Sequence, residues 1–119
     1  MKELYNDSVN MVEIAEATWD TFAIYVKVNN FSGKHNFCIE DNRLYKNIRD
    51  LEELSRNLYG EYTIEDMDSD SYLKVTMQKY GKLEFSGRLG GTHNNNYIVF
   101  DFIADQTLLQ KLTAFLKSI

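Results

Sequence analysis

NNNYIVFDFIADQTLLQKLTAFLKSI, from Asn94 to Ile119, closes the chain and carries its clearest pattern. Leu108, Leu109, Leu112, Phe115, Leu116 and Ile119 fall at i, i+1, i+4, i+7, i+8 and i+11, one stripe of an α-helix. Asp105 stands just ahead of the stripe, where its carboxylate accepts from the free amide of Thr107 or Leu108. Before it, Ile98, Phe100 and Phe102 alternate with Tyr97, Val99, Asp101 and Ile103, which predicts a strand burying most of both faces. A central strand running straight onto its own covering helix is a natural folding unit. None of these residues carries a catalytic signature.

Working back from that unit, Leu83, Phe85, Gly87 and Leu89 alternate with polar neighbours, as do Leu73, Val75 and Met77. YGK at 80–82 joins these two strands as a tight hairpin, and GGTHNNN at 90–96 is a longer polar turn. EYTIEDMDSDS at 61–71 predicts a short strand around Tyr62 and Ile64, followed by an acidic turn. Ile48, Leu51, Leu54 and Leu58 make a first helical stripe, with Asn47 as cap, Asp50 three residues on, and Gly60 as the stop. A competing start near Asn42 adds Leu44 to the stripe.

Nearer the start, Phe22, Ile24, Val26 and Val28 alternate as a half-buried strand. FSGK at 31–34 is expected to break it, with Gly33 free to take positive φ, and His35 to Glu40 to return with Phe37 and Ile39 inward. Val9 and Met11 suggest an edge strand before these. The order β-β-β-α-β-β-β-α predicts one α+β domain over 1–119: an antiparallel sheet of about six to seven strands with two amphipathic helices on one face. Lys74, Thr76, Gln78, Lys82, Glu84, Ser86 and Arg88 then form an ordinary wet opposite face. FSGK at 31–34 and FSGR at 85–88 are a weak internal echo, either a remnant duplication or chance.

The 119 residues suit one core, and 44% hydrophobic with 26% charged residues is an ordinary globular balance. Sixteen aromatics favour β-structure. A formal net charge of −5 argues against a nucleic-acid backbone as partner and suits a basic protein. One cysteine, Cys38, excludes an internal disulfide and fits a reducing compartment. With no secretory leader and no run near the roughly 18 apolar residues of a membrane span, a cytoplasmic location is expected.

Candidate chemistry is sparse. Asp66, Asp68 and Asp70 alternate as at the start of a calcium loop, yet Ser71 holds the glycine position and Met77 the bidentate glutamate position. A solvated acidic turn is the plainer reading, and a protein-binding patch that includes Glu61 and Glu65 is the sharper one. Asp101, alone in an apolar strand, should face solvent or meet Arg88 or a lysine. Tyr97, Val99 and Ile103 beside it could form an exposed apolar patch. His35, His93 and Cys38 have no zinc spacing, GRLGG at 87–91 lacks the lysine of a phosphate loop, and Trp19 reads as a core anchor. No enzyme constellation emerges.

FDFIADQTLLQKL at 100–112 resembles the C-terminal signature of the WapI-type immunity proteins and related small bacterial domains of unassigned function. In that signature an alternating aromatic strand leads through Asp-Gln-Thr into a leucine-rich helix. FSG at 85–87 and a helix opening around Asp50 and Leu51 are similar too, so the resemblance runs roughly from Thr21 to Leu116. It implies a non-enzymatic cytosolic antitoxin without cofactor or metal, which binds the toxic C-terminal domain of a polymorphic toxin, often a basic nuclease. The residues themselves suggest Glu61, Tyr62, Glu65, Asp66, Asp68 and Asp70 as the contact surface, with Tyr62 as an aromatic anchor. The rival is a homodimeric accessory domain that self-associates through Tyr97, Val99 and Ile103.

Overall fold

The computed structural model describes residues 1–18, 21–40, 42–91 and 96–119; the expectations placed on Trp19 and His93 lie outside them. Among the described residues the chain folds as β1 (Lys2–Asn6), β2 (Asn10–Glu16), β3 (Thr21–Val28), β4 (Phe31–Cys38) and α1 (Arg43–Asn57), then β5 (Gly60–Glu65), β6 (Tyr72–Met77), β7 (Leu83–Gly90), β8 (Tyr97–Ala104) and α2 (Gln106–Ser118). The class is α+β, as the pattern predicts. The strands, however, form two four-stranded antiparallel sheets, β1-β2-β3-β4 and β5-β6-β7-β8, rather than one sheet of six or seven. Each sheet is a meander that pairs every strand with the next in sequence, and each is followed by one helix.

The physical reason for the split lies in what each sheet must cover. A single sheet with both helices on one face has only those helices to bury its apolar side chains. Two facing sheets enclose Ile14, Ile24 and Phe37 of the first meander together with Leu73, Phe85 and Leu89 of the second, all essentially excluded from solvent. Strand β4 lies over β7 and β8, α1 rests on α2 and β5, and α2 reaches β1. Phe22 stacks on Phe37 at 5.3 Å and takes Phe115 of α2 edge-on at 6.2 Å, which ties the last helix to the first sheet.

Several boundaries differ from the sequence reading. β1 has almost no sequence signature, because KELYN holds a single aliphatic residue; Leu4 is nonetheless fully buried. Its turn is made by Asp7, whose Oδ1 accepts from the amides of Val9 at 2.9 Å and Asn10 at 2.6 Å. The amide of Asn10, first among these donors, holds the Asp7 carboxyl below the usual carboxylate range. FSGK does not break a strand: the turn falls at Asn29, φ 56°, and the motif opens β4. Gly33 is needed for close approach instead, since a Cβ there would stand 2.7 Å from Ile98 Cδ1.

The FSG echo sits in the fourth strand of one meander and the third of the other, so it marks no equivalent positions. Helix α1 starts after Asn42, the competing boundary, while Asn47 is buried within the helix. Leu58, at φ 61°, closes α1 with its amide on the Leu54 carbonyl, so Gly60 opens β5 instead of ending the helix. β8 is an edge strand and buries one face only: Phe100, Phe102 and Ala104 point in, whereas Val99 is 65% exposed.

Candidate functional site

The acidic segment divides in the structure. Asp66 is buried, against the expectation of a solvated contact residue. Its Oδ1 accepts from the Cys38 amide at 2.9 Å, and its Oδ2 accepts from Ser69 Oγ at 2.5 Å and lies 2.7 Å from His35 Nε2. Burial pushes the Asp66 carboxyl up, but these hydrogen bonds and one from the Asp68 amide outweigh it and leave it below the usual range. Because Met67 also donates its amide to the Cys38 carbonyl, the β5–β6 turn is sewn to β4 of the other sheet.

Ser69, His35 and Asp66 make no catalytic triad. A triad needs serine and aspartate on opposite ring nitrogens, whereas Ser69 Oγ and Asp66 Oδ2 both meet Nε2 and the serine donates to the aspartate itself. The cluster is a structural clasp. Among the described residues no group of three or more His, Cys, Asp or Glu side chains could hold a metal ion.

Glu61, Glu65, Asp68 and Asp70 remain exposed and form the acidic rim around β5 and its turn. A polar cleft of about 480 Å³ opens between α1 and β5, walled by Glu40, Arg43, Lys46, Glu61, Tyr62 and Glu65. A second, of about 510 Å³, flanks the same turn and takes in Glu65 and Asp70. Tyr62 is half-buried and held: its hydroxyl donates to Asn47 Oδ1, and Lys46 Nζ stands 5.8 Å from its ring centre. Burial, helped by Asp50, pushes its hydroxyl up. Tyr62 is thus fixed as a wall of the cleft.

Tyr97, Val99 and Ile103 do share one surface, the outer face of the second sheet. The register continues that face inward: Ile103 lies opposite Glu84, Asp101 opposite Ser86 and Val99 opposite Arg88, and Thr76 of β6 joins Glu84 to Glu61 of β5. The acidic rim and the apolar patch, rivals in the sequence reading, are therefore the two edges of a single face. Asp101 faces solvent, but the charged group diagonally across from it is Glu84; burial and then the nearby Asp101 carboxylate push Glu84 up. Arg88 instead stacks under the Tyr97 ring at 3.8 Å, and its Nε and Nη2 are buried with no hydrogen-bond partner among the described residues.

Set beside known proteins, residues 5–119 match the family described as immunity protein WapI-like. The chain belongs to that family. The match spans nearly all of the chain, so the WapI-like assignment takes in β2 and β3 as well as the closing strand and helix that carried the resemblance. No curated protein and no solved structure matches. In this WapI-like chain the Asp-Gln-Thr motif is a helix cap: Asp105 Oδ1 accepts from the Thr107 amide at 2.9 Å and from the Thr107 hydroxyl. The signature fixes the scaffold. Among the described residues no helix is long and apolar enough to cross a membrane.

Asp66 as a clasp and the Glu84–Asp101 pair escaped the sequence reading. The alternation of Leu83–Leu89 with Lys82–Arg88 does place Glu84 on the face of Asp101, but nothing local announces that the two meet.

Proposed function

We propose that this chain neutralises the toxic domain of a cognate toxin by binding it, without chemistry of its own. Membership of the WapI-like immunity family carries the reading. The exposed carboxylates Glu61, Glu65 and Asp70, which line two clefts, and Asp68 on the same turn support a contact surface for basic side chains. A nuclease domain, which must hold a polyanion, supplies such side chains, and the net charge of −5 speeds the encounter. The expected outcome of reversing Glu61, Glu65, Asp68 and Asp70 to lysine is a fall in association rate of about tenfold or more at low salt. The measurement is surface-plasmon kinetics against the inactivated toxic domain of the cognate toxin. An unchanged, salt-insensitive rate would remove the acidic rim from the contact.

A further inference from the structure

Strand β8 has a strand partner on one side only, β7, among the described residues. Along its other edge lies a groove of about 420 Å³, lined by Val28 and Phe31 of the β3–β4 turn and by Tyr97, Val99 and Asp101 of β8 itself. The groove is apolar at the Phe31–Val99 end, where the two side chains are 73% and 65% exposed. Unpaired strand edges invite a further strand, and charge at the edge selects which strand is accepted.

The charge on this edge is the Asp101 carboxylate, with a second, Glu84, one strand in on β7. Asp101 of β8 and Glu84 of β7 lie diagonally across the strand pair on the outer face, and Lys74, which shares that face, is drawn to Glu61 at 3.2 Å. Arg88 is occupied under Tyr97. Two copies of β8 paired about a two-fold axis would bring two Asp101 carboxylates to one seam, each backed by a Glu84 on β7, which disfavours self-association. A strand carrying a lysine or arginine at that position would complete the pair.

We propose that β8 is a docking edge for an extended segment of the toxin domain, which seats an apolar side chain between Phe31 and Val99 and a basic one at Asp101 and Glu84. The proposal rests on the immunity reading above. A four-stranded sheet is only about 15 Å wide, so one partner covers both the acidic rim at β5 and the docking edge at β8.

The test measures binding of the inactivated toxin domain to the wild-type chain and to Val99→Lys and Asp101→Lys, both changes at exposed side chains, with circular dichroism confirming the fold. Each variant is expected to lose about tenfold or more in affinity. Hydrogen exchange on the wild-type complex, which needs no variant, is expected to slow at amides within 97–103. Wild-type binding retained within about twofold in both variants, with no slowing at 97–103, overturns the docking edge and leaves the immunity reading standing. Failure of the wild-type chain to take up the toxin domain overturns the immunity reading and the docking edge with it. A concentration-dependent dimer of the free chain that Val99→Lys abolishes also overturns the proposal, because the occupant is then a second copy.

Discussion

Asp66 joins residues far apart in the chain. Its carboxylate meets His35, 31 positions earlier, and the Cys38 amide, 28 positions earlier, so one side chain holds the β5–β6 turn against β4. DMDSDS reads locally as three alternating acids, and nothing in that pattern separates the buried aspartate from its two exposed neighbours. The separation is made by long-range partners. Asp66→Asn keeps the size and loses the charge, leaving donors poorly satisfied; it is expected to lower stability by about 2 kcal/mol at neutral pH, read by urea unfolding.

The same group sets an acid dependence. Its folded carboxyl lies below the ordinary value, so its contribution is fully present above the unfolded value of about 3.9 and is lost as pH falls through the folded one. Unfolding midpoints between about pH 5 and pH 2 should therefore fall less steeply in Asp66→Asn than in the wild type. Parallel curves would mean that Asp66 titrates alike in both states.

At the scale of elements, legibility followed locality. Helix α2 and its Asp105 cap are written within fourteen consecutive residues, 105–118, and the structure reproduces them. The start of α1 was harder, because Asn42 takes a left-handed conformation with no side-chain cap bond while Asn47 looks like a cap and is buried against Tyr62. β1 left almost no pattern, since Leu4 is its one aliphatic anchor. The composition of β8, apolar apart from Asp101, predicts burial of most of both faces; only the pairing scheme shows that it is an edge.

Gly87 tests how tightly that second sheet is built. A Cβ at this position would stand 2.4 Å from the Tyr72 carbonyl oxygen and 3.0 Å from the Phe100 ring. Gly87→Ala is expected to lower stability by about 1–3 kcal/mol through forced displacement of backbone and ring. An unchanged urea midpoint would show that β6 and β8 yield freely.

For the whole molecule, the decisive event is the division of eight strands into two facing meanders. Periodicity reaches the α+β class and seven of the eight strands, with β1 missed. It does not reach sheet membership, because that depends on which inner faces meet across the core, and β4 over β7 and β8 is a contact between distant segments. The same division assembles the candidate surface: once β5 to β8 form their own sheet, Glu61, Glu84, Asp101, Val99 and Tyr97 come to share its outer face. The clasp at Asp66 and the cap at Asp105 then belong to the scaffold, and that face is the surface proposed for recognition.

The most direct test of this account is a titration of toxin activity. The catalytically active domain of the cognate toxin is assayed against rising amounts of the purified wild-type chain. Activity is expected to fall in proportion to added chain and to be abolished at one chain per toxin domain. Full activity in the presence of excess chain would contradict it.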